Sequence, residues 1–162
     1  MIELKAVQRK DLEILLSLIK ELSVYEKMEN DVVATTKLLD KWIFEKDIAK
    51  AILAYYDNKP VGFAVYFFNF STFLGKAGLY LEDLFVKENY RGKKIGITLF
   101  KELVKIAAEN DLGRMEWSCL KWNKPSIEFY EKLGAFPMGE WDTYRLTEDK
   151  FAGVLKSDSS NN

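Results

Sequence analysis

Two carboxylates stand side by side in an otherwise apolar run. Glu82 and Asp83 separate Leu79-Tyr80-Leu81 from Leu84-Phe85-Val86. In a strand, adjacent side chains point to opposite faces, so at least one of the two faces a covered side of the sheet. Carboxylates are rarely fully buried unless paired. Such a group is either neutralised by a protein cation or lines a wet cleft. In a partly apolar cleft its pKa rises, which makes it a better base, and its charge can hold a cation. The chain contains no histidine and one cysteine, Cys119. That excludes Ser–His–Asp triads, Cys–His pairs and His-ligated metals, as well as an internal disulfide or a multi-thiolate metal site. Acid–base chemistry near neutral pH is left to carboxylates, tyrosine, lysine and water, and no metal is expected. Cys119 itself reads as a small core residue.

The next group follows directly, in the stretch LEDLFVKENYRGKKIGITL from Leu81 to Leu99. A strand ending near Val86 and a helix starting near Ile95 enclose Arg91, Gly92, Lys93, Lys94 and Gly96. The first N–H groups of a helix have no intrahelical partner, and the helix dipole adds positive potential there. Glycines let a ligand approach such a backbone closely, and turns of this kind bind phosphate or pyrophosphate. The first turn lacks an acidic residue and three basic ones flank it. The same residues also suit a plain loop with glycine for its turn and lysine for solubility. Neither G-x-x-x-x-G-K-[ST] nor G-x-G-x-x-G is present. A third group lies in Trp122–Tyr130, where Ser126 and Tyr130 are four apart and share a helix face. Asn123 reads equally as a helix cap, and Phe129 and Tyr130 as core.

The elements that must position these residues follow from periodicity. Ile2–Ala6 reads as a short strand. Leu12, Leu15, Leu16, Ile19 and Leu22 form a helical stripe behind Asp11, a plausible N-cap. Leu38, Leu39, Trp42 and Ile43 suggest a second helix. Ala51–Tyr56 and Val61–Phe70 are strand-like, with a hairpin signal in Asp57-Asn58-Lys59-Pro60 between them. Leu79–Val86 is a strand, and Ile95–Asn110 a helix with Ile95, Leu99, Leu103 and Ile106 on one face. Met115–Leu120 is a further strand. Ser126–Leu133 is a short helix bounded by Pro125 and Gly134. Trp141–Leu146 is expected to form a last strand. This order predicts an α/β or α+β mixed sheet with helices on both faces.

Composition sets the outer bounds. The chain has 162 residues, 48% hydrophobic and 30% charged, which suits a single globular domain over residues 1–155. Lys156–Asn162 reads as a disordered tail. The net charge of -1 gives no electrostatic argument for nucleic acid or an anionic membrane as partner. The first residues have no apolar segment resembling a signal peptide, and Gly62–Phe68, the longest apolar stretch, is too short to span a bilayer. These features point to a cytoplasmic location.

Taken in order, these segments resemble the GNAT superfamily of N-acetyltransferases. Within it, the chain is similar to the diamine (spermidine/spermine) acetyltransferases and the thialysine acetyltransferases. The resemblance runs from about Leu4 to Glu148. It rests on LIKELSVYEKME (Leu18–Glu29), YLEDLFV (Tyr80–Val86), NYRGKKIG (Asn89–Gly96), WNKPSIEFYEKLGA (Trp122–Ala135) and GEWDTYRL (Gly139–Leu146). It implies a twisted mixed sheet whose central strands splay apart to admit acetyl-CoA. Backbone groups of Leu84, Phe85 and Val86 would hold the pantetheine arm and polarise the acetyl carbonyl. The turn Arg91, Gly92, Lys93, Lys94, Ile95, Gly96 and Ile97 would hold the pyrophosphate, with Asn123 and Ser126 also touching the cofactor. Tyr130 falls on the family's proton donor to the departing thiolate, and Glu82 on its water-linked base. Asp83, Tyr25 and Glu26 fall with Glu82 in the site for a small cationic amine. The resemblance also implies a homodimer with substrate sites at the shared interface. Two positions depart from the pattern. The superfamily turn usually reads Arg/Gln-x-x-Gly-x-Gly, and Lys94 stands at the first of those glycines. Tyr144 stands where the polyamine enzymes carry tryptophan. An amino acid or peptide amine as acceptor, or a non-catalytic CoA-binding regulatory role, are the alternative readings.

Overall fold

The computed structural model describes residues 1–157, in two compact units: Met1–Ser118, and a second that begins at Cys119. Of the expected tail, only Lys156 and Ser157 lie within the described residues.

The first unit is built on a five-stranded sheet in the order β1-β2-β3-β4-β5. Its strands are β1 (Ile2–Ala6), β2 (Lys50–Tyr56), β3 (Lys59–Ser71), β4 (Lys76–Val86) and β5 (Met115–Trp117). The first four pair antiparallel, and β5 joins β4 in parallel. The turn between β2 and β3 contains just two residues, Asp57 and Asn58, both with positive φ (47° and 65°). Asp and Asn tolerate that region, and it gives the turn the twist that matches the flanking strands. Lys59 and Pro60 of the expected turn belong to β3 instead, and Pro60 at the strand's start costs no interior ladder bond.

Helices cover both faces. The helix α1 (Leu12–Tyr25) turns Leu12, Leu15 and Leu18 onto Ala51, Leu53, Phe63 and Phe85, together with Val7 and Ile43. Asp11 begins the helix as expected, although its carboxylate accepts from the Gln8 N–H rather than from the helix itself. The second expected helix is α2 (Thr36–Asp40), capped by the Thr35 side chain and continued by a wider π-type turn, Lys41–Glu45. On the other face α3 (Ile95–Glu109) buries Ile95, Leu99, Phe100 and Leu103 and packs on β4, with Phe100 edge-on to Trp117. Each fully buried side chain of this size is worth about 1.5–3 kcal/mol.

The second unit contains α4 (Lys124–Lys132) and α5 (Phe151–Lys156). Gly134, at φ 91°, follows α4 where a left-handed residue ends a helix. Two expectations are corrected by the structure. β5 stops at Trp117 rather than Leu120, since its ladder with β4 ends at the Leu81–Trp117 pair. Trp141–Leu146 forms no strand among the described residues, and Trp141 and Tyr144 lie exposed. Strand-favouring residues make a strand only where a neighbour supplies hydrogen-bond partners. The helix α5 was not expected. Its first turn follows Thr147, Glu148 and Asp149, which suit a helix start.

Candidate active site

The two carboxylates sit on a β-bulge. Val65 of β3 pairs with Asp83, but the next residue, Tyr66, pairs with Leu81, so Glu82 is the extra residue of β4. The insertion changes which face each side chain takes. Tyr66 is buried with Glu102 of α3 close enough to affect it, so its partner Leu81 lies on the α3 face. Past the bulge, Asp83 pairs with Val65 and Phe85 with Phe63, and these partners pack in the α1 core. Asp83 therefore lies on the α1 face, half-buried, while Glu82 is exposed. Burial, reinforced by the negative charge of Glu82 and Glu26, pushes the Asp83 carboxyl up to about 7. Glu26, the residue that closes α1, is also raised by burial. The covered carboxylate expected from strand alternation is thus Asp83. Its neighbours include two further carboxylates, an arrangement that suits a cation.

Beside this cluster the sheet opens. β5 leaves β4 after Leu81, so Glu82–Val86 have no strand on that side among the described residues. The Lys87 N–H donates to the Val61 carbonyl at 2.8 Å. Because an antiparallel ladder alternates its bonded pairs, the peptide groups of Leu84 and Val86 point toward the gap and those of Phe85 toward β3. Arg91 Nε donates to the Val86 carbonyl at 3.1 Å. Its guanidinium lies 4.4 Å from the Tyr25 ring and 6.0 Å from that of Phe85, joining the turn before α3 to the end of α1.

That turn has the features of an anion cradle. Lys94 occupies the N-cap of α3, and no side chain caps the helix. Lysine has no acceptor atom, so the N–H groups of Ile95, Gly96 and Ile97 remain for an outside partner. No acidic residue lies in the first turn. A Cβ added at Gly96 would meet only a Val86 methyl at 3.9 Å, so the glycine keeps open space between the helix start and β4. Gly92 has φ 76°, a region closed to most other residues. Lys93 lies over the rings of Tyr56 and Tyr90, at 5.1 and 5.9 Å.

In the second unit Asn123 is buried, and its side chain accepts from the Ser126 N–H at 3.4 Å, capping α4. Ser126 and Tyr130 lie on that helix, with Tyr130 partly buried and edge-on to Phe129 at 5.3 Å. Tyr25, Glu26, Glu82, Asp83, Leu84–Val86 and Arg91–Ile97 are brought together within the first unit. Spacing alone missed the bulge, which no local sequence signal marks. It also missed Gly62, where a Cβ would lie 2.6 Å from the Phe85 carbonyl oxygen. Glycine inside an apolar strand was the available signal for that close approach. Among the described residues, no group of His, Cys, Asp and Glu is arranged to hold a metal. No helix there is long and apolar enough to cross a membrane.

Residues 15–135 match the acetyltransferase (GNAT) family model. The chain belongs to this family and is an acetyl-CoA-dependent N-acetyltransferase. It is 32% identical over 137 residues to the thialysine N-epsilon-acetyltransferase of Caenorhabditis elegans, covering 83% of this chain and 84% of that one. It is 41% identical over 100 residues to the L-ornithine N5-acetyltransferase of Arabidopsis thaliana, covering 62% of this chain and 44% of that protein. In structure it is similar to an integron cassette protein from the mobile metagenome of V. cholerae, with a TM-score of 0.79 and 30% identity over 96% of this chain and 98% of that one. GNAT-fold acetyltransferases use acetyl-CoA, and the uncapped turn and open β4 edge fit that molecule's phosphates and its amide-containing arm.

Proposed function

We propose that this enzyme transfers the acetyl group of acetyl-CoA directly to a primary amine of a small cationic substrate, an ornithine- or thialysine-like amino acid or a polyamine. The observation that carries the proposal is the open β4 edge at Leu84–Val86, set between the uncapped start of α3 and the carboxylates of Glu26, Glu82 and Asp83. The acceptor class draws support from the thialysine and ornithine named for the relatives above.

The chemistry follows from the groups present. An alkyl amine has a pKa of about 10.4 and arrives protonated. Glu26, Glu82 and Asp83 hold that cation, with the Tyr25 ring beside them. Glu82, directly or through water, takes a proton, and the neutral nitrogen attacks the thioester carbonyl. A C–N bond forms and the C–S bond breaks. Peptide groups at Leu84 and Val86 bind the arm and stabilise the oxyanion, a contribution of roughly 3–4 kcal/mol per donor in well-studied sites. The turn Arg91–Ile97 grips the diphosphate, and Asn123 and Ser126 add contacts to the cofactor. Tyr130 gives its proton to the departing thiolate. Residues 1–155 act as one acetyltransferase domain, in a cytoplasmic homodimer.

A second reading concerns the base alone. Asp83 is half-buried on the α1 face with a pKa of about 7, whereas Glu82 is exposed. Those values favour Asp83 as the proton acceptor and Glu82 as the cation's outer partner. The test is release of free thiol from acetyl-CoA against ornithine, thialysine, lysine, spermidine and putrescine. Amine-dependent release is expected; acetyl-CoA left intact with every amine overturns the proposal. Glu82→Gln and Asp83→Asn then separate the two bases, since the true one loses kcat by the larger factor.

A further inference from the structure

The sheet face that carries Asp83 continues beyond the core beneath α1. Leu79 and Leu81 are buried, and Leu81 lies on the α3 face, so Tyr80 between them points to the α1 face, as Asp83 does. There its ring stacks on Phe67 of β3, with 5.0 Å between centroids and 28° between planes, and its hydroxyl is 3.1 Å from that of Ser118. Both rings are half-buried and neither belongs to the α1 core. Glu116 of β5 stands beside Tyr80 in the ladder. Its neighbour Trp117 meets Phe100 of α3, so Glu116 also points to the α1 face. Arg114, just before β5, joins it through Nε at 3.0 Å. A Cβ at Gly78 would lie 2.6 Å from Asn69 Oδ1 and 3.3 Å from Arg114 Cγ, so the glycine leaves the space in which the arginine stem lies against β4.

These groups lead away from the proposed acceptor site in a line: Glu82 and Asp83, then the Phe67–Tyr80 stack, then Arg114 and Glu116. Glu116 is two residues along β4 from Glu82 and one strand across, roughly 8 Å at ordinary strand dimensions. An extended chain of about three or four methylene groups covers that separation, with its hydrocarbon against the stacked rings. At the far end a guanidinium and a carboxylate stand side by side, 38% and 35% exposed. Arg114 has no other hydrogen bond or ion pair among the described residues, which leaves the outer edge of its planar fork for a second carboxylate. Such a pair matches a zwitterion charge for charge, whereas a lone second ammonium would meet the arginine's like charge. We propose that Arg114 and Glu116 receive the head of an α-amino acid, its carboxylate on Arg114 and its α-ammonium on Glu116, while the side-chain amine reaches Glu82 and Asp83. This rests on the acceptor site proposed above and chooses the amino acid over the polyamine.

Ornithine and putrescine test it, because they differ only in the carboxylate. Steady-state release of free thiol from acetyl-CoA by the intact protein gives kcat/KM for each, and the parent should favour ornithine. Arg114→Gln should lower the ornithine-to-putrescine ratio about 10-fold or more, through KM for ornithine rather than kcat. Arg114→Lys keeps the charge without the fork and should recover part of the ratio. A general loss of structure would lower both amines together and show as a lower Tm, so the ratio is read at matched Tm. A parent that uses putrescine as well as ornithine overturns the proposal, as does an unchanged ratio in a folded Arg114→Gln variant. Acetyl-CoA left intact with both amines and with the rest of the amine panel overturns the acetyl-transfer reading itself, a distinguishable failure.

Discussion

Replacing Asp83 by Asn should stabilise the folded protein at alkaline pH and do little near pH 4. The Asp83 carboxyl stands at about 7 in the fold against an ordinary 3.8, because it is half-buried beside Glu82 and Glu26. The sign follows from proton linkage. Between those two values the native state holds a proton that the unfolded chain has released, so stability falls as pH rises through this window. Below about pH 4 both states are protonated and the contribution is intact; above about pH 7 it is gone. Roughly three pH units at 1.36 kcal/mol each set an upper bound of about 4 kcal/mol on the loss. Partial exposure reduces it through solvent screening. For a chain of this size, each kcal/mol moves Tm by about 2–4 °C. Thermal unfolding followed by circular dichroism at pH 4 and pH 8 provides the comparison. The Asn variant's Tm, relative to the parent, should be several degrees more favourable at pH 8 than at pH 4. Glu82→Gln removes one of the two raising charges, so the parent's downward limb should move to lower pH. An equal Tm difference at both pH values would refute the argument, as would a carboxyl titration of Asp83 near 4.

Other perturbations probe separate parts of the site. Tyr130→Phe should lower kcat tenfold or more while changing acetyl-CoA affinity little in steady-state and binding assays; an unchanged kcat excludes Tyr130 as the acid. Gly62→Ala forces a Cβ to 2.6 Å from the Phe85 carbonyl oxygen, a backbone atom, so β3 and β4 must part. That should cost about 1–3 kcal/mol in denaturant unfolding. Asn123→Ala removes the cap of α4 and should cost about 1 kcal/mol, read in the same assay.

Much of the first unit was legible because its residues follow one period at a time. The stripe through Leu12, Leu15 and Leu18 needed only 3.6-residue spacing, and Asp57-Asn58 fixed its hairpin through the two residue types that accept positive φ. The turn Arg91–Gly96 was legible as a potential anion cradle because glycines, cations and a helix start coincide. By contrast, Trp141–Leu146 carries strand-favouring Trp, Thr and Tyr but lacks a ladder partner among the described residues, a property of distant sequence rather than its own. Tyr25 and Glu26 carried no local signal, because they join the site only where the end of α1 passes over β4.

The bulge at Glu82 shows why local pattern and site chemistry part company. Regular alternation would keep Leu79, Leu81 and Asp83 on one face, placing Asp83 on the side covered by α3. One inserted residue instead sends Asp83 to the α1 face, next to Phe63 and Phe85 and within reach of the charge on Glu26. The same insertion leaves Glu82 exposed, at the point where β5 leaves β4. Two adjacent, chemically similar carboxylates thus receive different solvation from a single register shift, and the covered one, Asp83, has its carboxyl raised. The proposed mechanism asks one carboxylate to hold a cation and the other to take its proton, and at Glu82-Asp83 such a division would come from the backbone rather than from any difference between the side chains.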